Sequence, residues 1–256
     1  MSQIEEEIAA EIRAAYGAGV IPPFANRLEA SDVSAAYRIQ EINTRFWQAE
    51  GRQIVGRKIG LTALAVQAQF GVDQPDYGIL FADRRLSDGG ILSSGALQPR
   101  IEAEVAFVMA RDFVDPLAGL DAFRSAVGEA RPALEIVDSR VENWRISIIE
   151  TIADNASAGW FVLGEEARDP DEVDFVDCAM RLTDGDSLVS EGRGSACMGS
   201  PLEAGLWLAK TMCELGRPLA AGDIVMSGAL GPMKDMRRGA RYEAIIEDLG
   251  SVSISF

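Results

Sequence analysis

The stretch Ile101-Glu102-Ala103-Glu104-Val105-Ala106-Phe107-Val108-Met109 is an apolar run carrying two glutamates two positions apart. Its length and its β-branched and aromatic content predict a strand. On a strand, residues i and i+2 point to one face, roughly 7 Å apart at Cα. Two carboxylates side by side in such a run are costly, because desolvation and mutual repulsion oppose their ionisation unless a cation sits between them. A second apolar run, Pro132-Ala133-Leu134-Glu135-Ile136-Val137, holds a lone glutamate in the same setting. If the two strands pair, Glu102, Glu104 and Glu135 offer one cation an all-oxygen site. Hard oxygen ligands without imidazole or thiolate select Mg²⁺ or Mn²⁺ over zinc. The alternative is that each glutamate faces solvent, or pairs with Arg100 or Arg140.

Outward from these runs the chain divides in character. Ile4, Ile8, Ile12 and Tyr16 recur every four residues among glutamates, predicting an amphipathic helix over 3–16 that Gly17 and Gly19 end. A second helix is expected from Ser31, as N-cap, to about Glu50. From Gln53 onward the sequence is richer in short β-type runs. These are Gln53–Leu61, Ala133–Val137, Trp160–Leu163, Ala179–Thr183, Ile224–Ser227, Tyr242–Glu247 and Val252–Phe256, with turns at 184–186 and 249–251. Thr62 is expected to cap a short helix through Phe70. A later helix starts at Ser200-Pro201, with Glu203 completing a capping box and Gly216 ending it. The expectation is one α+β domain over 1–256, a helical layer over 1–50 and a β-rich core over 51–256.

Composition narrows the chemistry. The chain has 256 residues, a net charge of −16, three cysteines and no histidine. That charge argues against nucleic acid and anionic membrane surfaces as partners. The acidic N-terminus and the lack of a long apolar run point to a cytoplasmic protein without a signal peptide or membrane span. Cys178, Cys197 and Cys213 are odd in number and lack CxxC spacing, so they read as buried free thiols. Without histidine, Ser-His-Asp and Cys-His catalysis and His-ligated zinc are excluded. Gly192-Arg193-Gly194 lacks the third glycine of a dinucleotide loop and reads as a turn. Lys234, Arg237, Arg238 and Arg241 read as a solvated loop face.

Lys58, in Val55-Gly-Arg-Lys-Ile-Gly-Leu-Thr62, sits among small residues that let backbone approach a ligand. It is placed to offset carboxylates or to receive an anionic substrate, unless it is a surface lysine beside Arg57. Asp76, in Val72-Asp-Gln-Pro-Asp-Tyr-Gly78, lies in a turn-rich segment. So do Asn155 and Ser157, in Ala153-Asp-Asn-Ala-Ser-Ala-Gly159.

Taken together, Gly56–Thr62, Gly71–Gly78, Gln98–Glu104, Pro132–Val137, Ala153–Gly159, Gly192–Ser195 and Ser227–Met233 resemble, in order, the 2-hydroxypenta-2,4-dienoate (2-oxopent-4-enoate) hydratase family of the fumarylacetoacetase superfamily. The resemblance runs from about residue 35 to the end. It implies a mixed β-roll core, Mg²⁺ or Mn²⁺ on Glu102, Glu104 and Glu135, and Lys58 and Asp76 as catalytic groups. Asn155 and Ser157 are the expected substrate-binding pair. The implied reaction is water addition to a small 2-hydroxydienoic acid in meta-cleavage catabolism of aromatic compounds. The resemblance also implies a homo-oligomer, a pentamer or decamer, and leaves room for association with a neighbouring pathway enzyme. A 2-oxo-3-enedioate decarboxylase would share the metal site, but a dioate calls for a further cation, with Arg57 and Arg140 as candidates. Acylpyruvate hydrolysis and a purely scaffolding role are the remaining alternatives.

Overall fold

The computed structural model describes residues 2–29 and 32–256. The order of elements is α1 (Gln3–Ala18), α2 (Val33–Ala49), β1 (Ile54–Gly60), α3 (Leu64–Phe70), β2 (Asp76–Phe81), β3 (Arg85–Leu86), β4 (Gly90–Ile91), β5 (Pro99–Met109), α4 (Leu120–Ala126) and β6 (Val127–Asp138). It continues with α5 (Ile148–Ala153), β7 (Ala158–Leu163), β8 (Ala179–Asp184), β9 (Ser187–Arg193), α6 (Pro201–Glu214), β10 (Ile224–Ala229), β11 (Lys234–Asp235), β12 (Arg241–Ile246) and β13 (Gly250–Ser255).

Two mixed sheets carry the fold. The larger runs β2-β1-β10-β5-β6-β7-β3, with β11 pairing β5, and the smaller runs β4-β13-β12-β8-β9. Strand alternation decides what each face of β5 does. Ile101, Ala103, Val105 and Phe107 point one way, into the main core with Leu182, Tyr242, Ala244 and Ile254 of the smaller sheet. Glu102, Glu104 and Ala106 point the other way. There Ala106 joins a second apolar cluster with Leu80, Ala133, Phe161 and Met226. The acidic face is therefore the one turned away from the inter-sheet core.

α1 and α2 form the expected N-terminal layer and pack on α5 through Ile8, Ile12, Ile39, Ile149 and Ile152. Ser2 and Glu5 close a capping box on α1, and Gln40 of α2 donates to the carbonyls of Tyr77 and Ile152. The Gln40 bonds tie the helical layer to α5 and to β2, whose first residue, Asp76, lies in the candidate site.

Several local expectations differ from the structure. Ser31 lies outside the described residues, and Asp32 is the N-cap of α2. Thr62 does not cap α3. Ala63 stands there with no side-chain bond, and Thr62 is buried against Gly228. α6 is capped by Ser200, but Glu203 makes no reciprocal bond. Gly192 and Arg193 continue β9 rather than turning, and the turn expected at 249–251 falls at 247–249. The three cysteines are free, with Cys213 only partly buried.

Candidate functional site

β5 and β6 pair antiparallel in a register that sets Glu102 directly opposite Glu135 and Glu104 opposite Ala133. Directly opposed residues have side chains on one face. β10 and β1 extend the same row, with Ala106 opposite Met226 and Met226 beside Lys58. β2 then places Gly78 opposite Lys58 and Asp76 opposite Gly60. Four strands thus deliver Lys58, Asp76, Glu102, Glu104 and Glu135 to one face, although they lie far apart in the sequence.

One carboxylate oxygen from each of Glu102, Glu104 and Glu135 lies within 4.8 Å of the others. Glu104 and Glu135 are buried, and Glu102 is partly exposed. Glu104 accepts one hydrogen bond at 2.9 Å from the N–H of Gly228. Lys58 Nζ stands 3.2 Å from Glu135 Oε1, an ion-pair contact outside hydrogen-bonding geometry. Glu104 Oε1, both oxygens of Glu135, both of Asp76 and the hydroxyl of Ser157 have no hydrogen-bond partner. Buried polar atoms are rarely left in that state.

Electrostatics agree with the geometry. Burial, and then the Glu135 charge, push Glu102 up to about 7. Burial with Glu135 and Glu102 holds Glu104 well above the usual carboxylate range. Burial raises Glu135 as well, against the opposing pull of Lys58. Asp76 is raised by burial to about 6, with Lys58 opposing. Burial disfavours the charged form of Lys58, but Glu135, Asp76, Glu102 and Glu104 outweigh it and raise its pKa. Four carboxylates facing one ammonium leave an excess of negative charge, most of which a divalent cation would offset. With orphaned hard oxygens on Glu104 and Glu135 and the Glu102 carboxylate converging on them, the residues fit a Mg²⁺ or Mn²⁺ ion. Arg100 and Arg140 do not pair with these glutamates. Arg100 bonds Asp235, and Arg140 bonds Asp154.

Glycines make the approach possible. A Cβ on Gly60 would lie 2.2 Å from Asp76 Oδ1 and 3.5 Å from Lys58 Nζ. Gly228, at φ +101°, turns its N–H onto Glu104, and a Cβ there would lie 2.4 Å from Thr62 Cγ2.

Asn155, Ala156 and Ser157 form three consecutive left-handed residues, at φ 57°, 51° and 54°. For non-glycine residues this costs about 1–2 kcal/mol each. Two devices hold the turn. The Asn155 amide is spent on the backbone of Ile79, accepting from its N–H at 2.7 Å and donating to its carbonyl at 3.0 Å. Fully buried Arg140 donates to the Asp154 carboxylate at 2.5 Å and to the carbonyls of Asp154 and Ala158. Its guanidinium also lies over the ring of Tyr16 from α1. Ser157 faces a cavity of about 400 Å³ that reaches Lys58, Asp76 and Glu102. Asn155 lies outside that cavity and holds the turn from behind.

The fumarylacetoacetate (FAA) hydrolase C-terminal family profile matches residues 80–255. The chain belongs to that family. It is 52% identical over 253 residues to 2-keto-4-pentenoate hydratase 2 of Dechloromonas aromatica (strain RCB), covering 98% of this chain and 97% of that protein. A 2-hydroxyhexa-2,4-dienoate hydratase of Comamonas testosteroni is 37% identical, with 93% and 92% covered. Among solved structures, 4-oxalocrotonate decarboxylase from Pseudomonas putida G7, complexed with magnesium and adipate, superposes with a TM-score of 0.94. It is 31% identical and covers 99% of this chain and 97% of that one. The expected α+β fold of this family, with its N-terminal helical region, is the one observed.

Proposed function

We propose that the chain is a metal-dependent hydro-lyase. It adds water to 2-hydroxypenta-2,4-dienoate (2-oxopent-4-enoate) or a close C5-substituted analogue, giving 4-hydroxy-2-oxopentanoate in meta-cleavage catabolism of aromatic compounds. The observation that carries this reading is the convergence of Glu102, Glu104 and Glu135, with unpartnered oxygens on Glu104 and Glu135, beside a cavity that Lys58, Asp76 and Ser157 enter. Full-length relatives named as hydratases, at 37–52% identity, support water addition over decarboxylation. The decarboxylase likeness is at 31%.

Glu102, Glu104 and Glu135 would hold Mg²⁺ or Mn²⁺. Bound there, the ion supplies Lewis-acid stabilisation of negative charge at the substrate's 2-oxygen. Lys58 balances the charge of the substrate carboxylate. Loss of the 2-hydroxyl proton and protonation at C5 convert the dienol to the 2-oxo-3-enoate. Water then adds at C4, and C3 takes a proton. Asp76, beside Lys58 and with both carboxylate oxygens unpartnered, is the group we assign to proton transfer. The Ser157 hydroxyl binds the carboxylate or the attacking water, and Asn155 keeps Ser157 in its left-handed turn.

No helix among the described residues is long and apolar enough to cross a membrane. With the acidic composition and free thiols, this supports a cytoplasmic enzyme, and the family likeness supports a homo-oligomer. Incubation of the purified chain with the dienoate and Mg²⁺ tests the reaction, with product analysis by NMR. 4-Hydroxy-2-oxopentanoate is the expected product. An unchanged dienoate would contradict the reading and return the chain to a scaffolding role.

A further inference from the structure

The chain leaving β6 passes the cavity in a conformation that its residues disfavour. Asn143 and Trp144 are consecutive left-handed residues, at φ 55° and 54°. Asparagine tolerates that region, but for a bulky aromatic it is strained backbone. Trp144 and Ile146 line the cavity that Lys58, Asp76 and Glu102 also reach. Strain of this kind persists only where the surroundings over-determine it.

One residue supplies most of that restraint. Pro99 pairs with Asp138 at the end of the β5–β6 ladder, so Gln98 lies just beyond it, beside the departing chain. The Asp138 carboxylate accepts from the N–H groups of Leu97, at 3.0 Å, and of Gln98, at 2.6 Å. The Gln98 amide donates to the carbonyls of Ser139, at 3.0 Å, and Val141, at 2.8 Å. It accepts from the N–H of Asn143 at 2.7 Å. Both amide hydrogens and the amide oxygen are used, which leaves the group a single orientation. The backbone carbonyl of Gln98 accepts from the Trp144 indole N–H at 3.0 Å. Arg100, two residues along β5, lies over the same indole at 4.3 Å from its ring centroid and is held by Asp235 at 2.8 Å. Three of these bonds fasten the backbone of the segment. The bond to the indole constrains only the side chain that lines the cavity.

We propose that Gln98 is a positioning residue. Acting through Trp144, it sets the wall against which a 2-oxo acid in the cavity is oriented towards Lys58 and Asp76. The identity of that ligand rests on the proposed function, whereas the network does not. A reactant misplaced by about 1 Å loses on the order of 10²-fold in rate, so a wall fixed by five hydrogen bonds and a stacked guanidinium matters to turnover.

The test reads binding and turnover separately, by calorimetry with 2-oxopentanoate, a saturated analogue that cannot be hydrated, and by steady-state kinetics with the dienoate, both with Mg²⁺. In Gln98→Ala, kcat should fall by on the order of 10²-fold and affinity for 2-oxopentanoate by about tenfold. Mn²⁺ affinity should be unaltered, because none of the Gln98 bonds involves Glu102, Glu104 or Glu135. Gln98→Glu keeps the size and the acceptor but turns an oxygen towards both carbonyls. It should show the same losses, and it serves if the alanine variant does not fold. In a Trp144→Ala background, Gln98→Ala should have little further effect on either quantity, because the two act as a unit. Additive effects would overturn the proposal, as would wild-type kcat in either Gln98 variant or a parallel loss of Mn²⁺ affinity. Gln98-dependent binding of 2-oxopentanoate in a protein that hydrates no dienoate would overturn the proposed reaction and leave the positioning role standing. No binding of 2-oxopentanoate to the wild-type protein would overturn both.

Discussion

Glu102 and Glu135 stand directly opposite each other across β5 and β6, two buried-face carboxylates with no arginine between them. In a sheet that pairing is destabilising unless a cation bridges it. It persists here beside Glu104, with Lys58 as the one ammonium against four acids. A divalent ion held by these carboxylates, as proposed, would relieve that repulsion.

Replacing either partner should therefore separate stability from binding. Glu135→Gln removes one of the mutually repelling charges, so the metal-free variant should melt at or above the wild-type temperature. Its affinity for Mn²⁺ should fall by at least about a hundredfold, and the stabilisation by Mg²⁺ should be lost. Calorimetry with and without metal reads both effects. Undiminished Mn²⁺ affinity would remove Glu135 from the ligand set.

Gly60 tests the packing of Asp76. A methyl group there would meet the Asp76 carboxylate at 2.2 Å, so Gly60→Ala should turn that side chain away from Lys58. A displaced proton-transfer group costs on the order of 10²-fold in kcat. Steady-state kinetics with far-UV circular dichroism should show this loss in a folded protein, and wild-type kcat would contradict the role given to Asp76.

Arg140→Met should destabilise the fold by about 3–5 kcal/mol, because it leaves the Asp154 carboxylate buried without its partner. The same change frees the strained Asn155–Ser157 turn, so kcat should fall in the fraction that remains folded. Urea denaturation measures the first effect. A loss below about 1 kcal/mol would place Asp154 in solvent contact and contradict the clamp.

Glu150 should give the fold an acid-sensitive component. Burial raises its carboxyl, but bonds from Ser147 and Ala25 outweigh that and hold it below its usual value of 4.5. The folded form is thus the better acid. Its contribution to stability is complete above pH 4.5 and is lost as the pH falls through the lowered value. Urea midpoints of wild type and Glu150→Gln between neutral pH and about pH 3.5 should converge as the pH falls. Parallel curves would show that Glu150 titrates alike in both states.

The glutamates were legible because strand periodicity is local. Spacing of two residues in an apolar run puts Glu102 and Glu104 on one face whatever the tertiary structure. Their meeting with Glu135 depended on a register between separate strands, which the paired apolar patterns only suggested. Asn155 and Ser157 were marked as polar residues in a turn, but three left-handed non-glycine residues in succession leave no sign in the sequence. Arg140 looked like a partner for the glutamates. Its true partner, Asp154, is fourteen residues on, and only burial of both reveals the pair. Thr62 had the chemistry of a helix cap, but packing against Gly228 claimed it instead.

The most direct test is the effect of metal on loss of the dienol's ultraviolet absorbance. Protein stripped with a chelator should leave 2-hydroxypenta-2,4-dienoate unhydrated, and Mg²⁺ or Mn²⁺ should restore the rate, with no restoration in Glu102→Gln. Full activity in protein shown by elemental analysis to be free of divalent metal would contradict the assignment of Glu102, Glu104 and Glu135 as the metal centre.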